Sequence, residues 1–377
     1  MLPSPMRRIR PGLVAALLAS LALSACSPGS GGSATPAPTP GGDAGTTATA
    51  DRPWPMKTRF HVDLWLHGFA MVQDDTAMIP YFQRGYRDQL VVRRNQAGVT
   101  TQLDQNRDRL RARLAVNPGL INAQFLILDA TSWDEMRQVA DLFLKAEGDP
   151  RRASDQGVAQ AIYSVAQYFP TPADREWLRL FMQGLEDERA KFYQSYWNDT
   201  QRERAPVLAA ADSVWQQVAR PPLQAFLRNT QQANGEILLS LPLDGEGRSS
   251  PRGKRNSIVA VTFPARVEDA AQATYVFVHE ASLAIANAAV NDNITPTQRR
   301  EGLAERYGSA AAVVAGRMVL TKLVPQLADG YARYYLRSAG RTAPAGDPGA
   351  AFDAAFPLPA AIRDAMQRQV DVTLGGI

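Results

Sequence analysis

Two short stretches limit the fold of this chain more than any other feature. "GEILLSLPL" (Gly235 to Leu243) and "RNSIVAVTFP" (Arg255 to Pro264) are apolar and partly β-branched, which is strand character in a chain that elsewhere carries helical spacing. Between them lies "DGEGRSSPRGKR", a polar connection too long for a tight turn. It reads as a mobile basic loop joining an antiparallel pair. The expected class is α+β, predominantly α-helical, with that small antiparallel strand pair followed by a pair of helices.

The helical pattern starts near residue 60, where local alternation of Phe60, Val62 and Leu64 also leaves a strand possible. In "VDLWLHGFAMVQ", Leu64, His67 and Met71 share one spacing, with Leu66 and Phe69 beside them. "QNRDRLRARLAVN" and "SWDEMRQVADLFLKAEG" are further amphipathic helices, the second with Ser132 as N-cap and closed by Gly148 and Pro150. A long helical block follows, with breaks expected near Pro206 and at Pro221–Pro222. Its aromatics Trp177, Phe181, Tyr193, Trp197, Trp215 and Phe226 sit at the spacing of a core-facing stripe. After the strands come a helix over about 268–289, the loop "VNDNITP" and a long helix from Pro296 to Leu323. Thr295 is placed to cap that last helix and Pro296 to open it. "PQLADGYARYYLRSA" and "PAAIRDAMQRQVDV" complete the helical set.

The amino terminus divides the chain. "MRRIR" from Met6 is cationic, and "GLVAALLASLALSA" (Gly12 to Ala25) is an apolar run too short to span a bilayer comfortably. It ends in "LSAC", Leu23 to Cys26, and Cys26 is the sole cysteine of 377 residues. That excludes an internal disulfide framework and a CxxC metal site. The tetrad resembles the bacterial lipoprotein box. The resemblance implies removal of residues 1–25, lipidation of Cys26, and a lipid membrane as partner. More than one acyl chain makes such an anchor stable. Ser27 follows rather than Asp, which favours the outer membrane where the cell has two membranes. Residues 26–53 are dominated by Gly, Pro, Ser, Thr and Ala and read as a flexible tether. Residues 54–377 are expected to form a single α-rich domain.

The formal charge is +4. Without Arg7, Arg8 and Arg10 it falls to 38 basic against 37 acidic residues, a balance of +1. No electrostatic footprint for nucleic acid remains. Serine chemistry lacks a G-x-S-x-G elbow, and three histidines leave almost no candidates for a triad.

"YVFVHEASLAI" (Tyr275 to Ile285) carries the most chemistry. In an HExxH helix, residues i and i+4 share a face. Two imidazoles then reach one metal while the intervening Glu acts as base on bound water. Here His279–Glu280 are in place, but Leu283 stands where the second histidine belongs. "REGLAERY" (Arg300 to Tyr307) follows on the next helix. The order of strand pair, His-Glu helix, loop and Glu-bearing helix resembles the gluzincin class of zinc metallopeptidases over about residues 170–335. The resemblance implies His279 as a metal ligand, Glu280 as base, and Glu301, 18 positions after Leu283, as third ligand; Glu305 is a rival one turn on. It implies zinc as the cofactor, weakly held or absent because Leu283 cannot ligate.

Three functions stay open on this reading. The first is an envelope lipoprotein with a degenerate peptidase domain, a pseudoenzyme that binds a peptide or protein. The second is an active zinc peptidase completing its site with Glu301, Glu305 and water. The third is a purely structural lipoprotein. His61 and His67, the other histidines, read as helix-surface or packed residues.

Overall fold

A computed structural model describes residues 53–251 and 256–375. Residues 1–52 lie outside it, so the leader, Cys26 and nearly all of the tether do too. Among the described residues four strands make one mixed sheet: β1 (Met56–Lys57), β2 (Asn234–Ser240), β3 (Arg248–Pro251) and β4 (Asn256–Thr262), in the spatial order β1-β2-β4-β3. The antiparallel pair is present, but its members are β3 and β4, with Arg248 opposite Ala260. The two stretches expected to pair antiparallel, β2 and β4, run parallel, with Ile237 opposite Val259. Part of the connection that read as a loop is itself the edge strand β3. That extra strand reverses the chain once more, so β4 resumes the direction of β2. Parallel strands belong where both faces are covered, and the burial agrees: Ile237 to Ser240 and Ile258 to Thr262 are buried without alternation.

Helices α1 (Phe60–Val72), α2 (Tyr86–Gln96), α3 (Gln102–Val116), α4 (Trp133–Lys145) and α5 (Gln156–Ala166) precede the aromatic block, with a 3₁₀ stretch over Pro118–Asp129 between α3 and α4. Ser132 caps α4 as expected, its hydroxyl accepting from Glu135 N. The aromatic block holds α6 (Pro172–Glu188), α7 (Gln194–Glu203), α8 (Ala205–Ser213) and α9 (Arg220–Asn229). Arg204 separates α7 from α8, as the proline at 206 suggests. No break occurs at Pro221–Pro222. A π-helical turn over Val214–Ala219 leads straight into α9, and both prolines fall in its first turn, where a missing N–H costs little. Trp177, Phe181, Tyr193, Trp215 and Phe226 are buried in the core, and Trp197 packs on its edge.

After β4 come α10 (Ala271–Asn293), α11 (Pro296–Arg300), α12 (Leu303–Leu323), α13 (Pro325–Ser338), α14 (Gly349–Ala355) and α15 (Ala360–Thr373). Thr295 caps α11 with a capping box, and the helix expected to run unbroken to Leu323 is interrupted at Glu301–Gly302. Helix α10 packs against α12, α15, α13 and β4. No helix among the described residues is long and apolar enough to cross a membrane.

Two buried polar centres tie the helical layers together. Asp63 in α1 accepts from Ser240 Oγ (2.6 Å), Leu241 N (3.1 Å) and Trp197 Nε1 (2.7 Å), joining α1 to the end of β2 and to α7. His67, one turn further along α1, faces Glu188 through Nε2 at 3.1 Å and Tyr86 Oη through Nδ1 at 3.1 Å. Glu188 also accepts from Arg94 (2.7 Å) and Thr101 (2.6 Å). His61 and His67 are both packed inside, the second of the two readings their sequence allowed.

Candidate metal centre

Residues 263–270, with a 3₁₀ turn at Val267–Asp269, lead from β4 into α10, which carries the His-Glu pair. His279 is wholly buried, and its Nε2 lies 3.1 Å from Glu246 Oε2 and 3.9 Å from Glu280 Oε1. The ligand atoms of Glu246, His279 and Glu280 all fall within 4.8 Å of one another, so the three side chains can hold a metal ion. Zinc binds nitrogen and oxygen at about 2.0–2.2 Å, which puts tetrahedral donors about 3.3–3.6 Å apart. The two observed separations bracket that spacing. One imidazole and two carboxylates also form a donor set that zinc accepts.

Glu246 stands in the segment between β2 and β3, and both flanks of that segment are fixed. On one side α13 holds it: Tyr335 Oη donates to Gly245 O (3.0 Å) and Tyr334 Oη to Asp244 Oδ1 (3.1 Å). On the other, residues 80–83 pair with it. At its end, Gly247 N donates to Glu280 Oε1 at 3.0 Å. A side chain at 247 has no room, because its Cβ would lie 2.5 Å from Glu280 Cγ and 2.9 Å from Ala260 O. The Tyr335 ring packs on the imidazole of His279, with centroids 5.3 Å apart. His279 Nδ1 makes no hydrogen bond among the described residues. The ring is therefore oriented by Glu246 and Tyr335 rather than by a partner on its far nitrogen.

Arg248, also buried, supplies the local positive charge. Its guanidinium donates to Gln124 Oε1 from Nε (3.1 Å) and Nη2 (2.6 Å), and to Gly247 O, and it lies 4.2 Å from the centre of the Tyr81 ring. Burial alone pushes every charge here toward neutrality, and the groups divide in their response. Burial works against the imidazolium of His279, but Glu246 and Glu280 outweigh it and hold His279 above its ordinary value. Glu246 is raised by burial, yet His279 and Arg248 bring it below the usual carboxylate range. Glu280 is held above that range, by burial first and by the Glu246 charge. These directions favour an imidazolium–carboxylate pairing of His279 with Glu246 and make Glu280 harder to deprotonate than an ordinary carboxyl. A divalent cation would take the place of those protons.

Glu301 and Glu305 are not brought to this group. Both are exposed, Glu301 at the end of α11 and Glu305 in the first turn of α12. His279 lies 14 residues before the end of α10, about 21 Å along its axis, whereas both glutamates sit just past the connection that follows that end. Leu283 is half-buried and packs against the core. The acid beside His279 is Glu246, which sequence reasoning passed over as part of a loop. The available signal was its setting in "DGEGR", an acid between two glycines. No known family, curated protein or solved structure matches the chain.

Proposed function

We propose that this chain is an envelope lipoprotein, anchored through acylated Cys26, whose folded domain serves a non-catalytic role in binding a peptide or protein partner. Its His279–Glu280 helix holds, with Glu246, a buried divalent-metal site in place of a hydrolytic one, and zinc is the ion the donor set suits best. The observation that supports the non-catalytic part of this reading is burial at the point where chemistry would occur. The His279 side chain is 0% exposed, Glu280 3% and Glu246 18%. A peptidase must bring a scissile carbonyl to the metal and a general base to the attacking water. Glu280 accepts from Gly247 N at 3.0 Å and its side chain is 3% exposed, which does not present it to a substrate. When bound, the metal would link the β2–β3 segment to α10 as a structural ion does.

The test is metal analysis of the protein lacking residues 1–26, together with an assay against a broad mixture of peptides. About one zinc per chain, a lower melting temperature after chelation and no cleavage are expected. Metal-dependent cleavage, abolished by Glu280→Gln, would establish the active peptidase instead.

A further inference from the structure

Against the segment that carries Glu246 lies a stretch of chain with no helix or named strand of its own. Residues 74–83 leave α1, cross the β2–β3 segment and return to α2. Their polar contacts there are an isolated bridge between Phe82 and Leu243, a hydrogen bond from Gln83 Nε2 to Leu243 O (3.3 Å) and three backbone hydrogen bonds. Gln83 N donates to Pro242 O (2.8 Å), Asp244 N to Tyr81 O (3.0 Å) and Glu246 N to Pro80 O (3.3 Å). The last of these fastens the segment to the backbone of a candidate ligand. The Tyr81 ring covers the Arg248 guanidinium, and Ile79 is buried over Gly245. That fit requires glycine, since a Cβ at 245 would lie 2.5 Å from Ile79 Cγ2. The segment is folded around one side chain: Asp75 accepts from the backbone N–H groups of Ala77, Tyr81 and Phe82. The other sides of the centre are α10, α13 and β4, which are regular elements. Local opening draws on irregular segments, and 74–83 is the irregular segment bonded to the backbone of Glu246.

We infer that residues 74–83 are a strap that must lift before a metal ion enters or leaves the Glu246–His279–Glu280 centre, with Asp75 as its staple and Ile79 as its plug. This inference rests on the metal reading of the site. It predicts that metal exchange is governed by strap opening and not by collision.

The experiment follows zinc uptake and release by the full chain in detergent, with a chromophoric chelator as reporter, alongside hydrogen exchange at the amides of Gln83, Asp244 and Glu246. The uptake rate should reach a plateau as zinc is raised. Asp75→Ala and Ile79→Ala should accelerate uptake and release together by on the order of tenfold, with the dissociation constant nearly unchanged, and should speed exchange at the same three amides. Ile79→Val gives a milder version of the same test if the alanine variant does not fold. Zinc binding whose rate rises linearly without a plateau, or is unaltered in every variant, overturns the strap and leaves the metal reading standing. Absence of zinc binding in wild type and all variants overturns the metal reading, and the strap as its gate falls with it.

Discussion

Glu246 and His279 meet at 3.1 Å from two elements separated by the whole of β3 and β4. A carboxylate from the β2–β3 segment stands where the resemblance read from the sequence implied Glu301. Removing it is therefore the sharpest test of the site. Losing one of three protein ligands costs on the order of a hundred- to a thousand-fold in metal affinity, as a share of the total for a structural zinc. Glu246→Ala should show that loss in a zinc titration, whereas Glu301→Ala and Glu305→Ala should bind as wild type does. The reverse pattern would return the third-ligand role to α11 and α12.

Zinc affinity should fall as pH falls. His279 and Glu280 are both held above their ordinary values, so each keeps a proton to a higher pH than it would in water and must give it up to a metal. Each proton displaced weakens binding by on the order of tenfold per pH unit below the value for that group. Titrations from pH 5 to 8 check this, and a profile flat through the ordinary imidazole range and above would mean that His279 is not a ligand.

Asp63 should make the fold less stable as pH rises from about 4 to 6. Burial pushes its carboxyl from 3.8 up to about 6, against the hydrogen bonds from Ser240, Trp197 and Leu241. Between those values the folded state holds a proton that the unfolded chain has released, so unfolding free energy declines with pH. The gap corresponds to about 3 kcal/mol. Asp63→Asn cannot titrate, and urea unfolding across this range should give it a flatter profile than wild type. Parallel profiles would contradict the assignment.

Glu188 anchors a different centre, and its truncation should be costly. Glu188→Ala leaves the buried guanidinium of Arg94 without its nearest fully buried counter-charge and His67 without its Nε2 partner. Stranding one member of such a pair costs about 3–5 kcal/mol. Glu188→Gln keeps the shape and one acceptor and should lose less. A loss below about 1 kcal/mol in urea unfolding of the alanine variant would show that Asp104 alone satisfies Arg94.

Cys26→Ser should abolish lipid attachment. Labelling with a fatty acid should mark the wild-type protein and leave the variant unmarked; equal incorporation would remove the anchor from the proposed function.

The sequence by itself determined whatever depends on neighbours in the chain. Ser132 and Thr295 cap helices because a hydroxyl reaches N–H groups three residues away, and the aromatics from Trp177 to Phe226 enter the core because helical spacing puts them on one stripe. The apolar runs at 235–243 and 255–264 form strands for the same local reason. Partnership between strands is not local. Whether β2 and β4 run parallel depends on a third strand folding between them, and Arg248–Pro251 acquires strand structure only by pairing with β4. The same rule divides the site. The approach of His279 and Glu280 to each other follows from adjacency on α10. Glu246 joins them only because Tyr334, Tyr335 and residues 80–83 fix its segment from both sides. Glu301 stays away because a helix of 23 residues carries its connection to the far end of α10. The His-Glu motif named two of the three residues in this centre, Glu280 as a base rather than a ligand, and the third was decided by packing between elements about 30 to 170 positions apart.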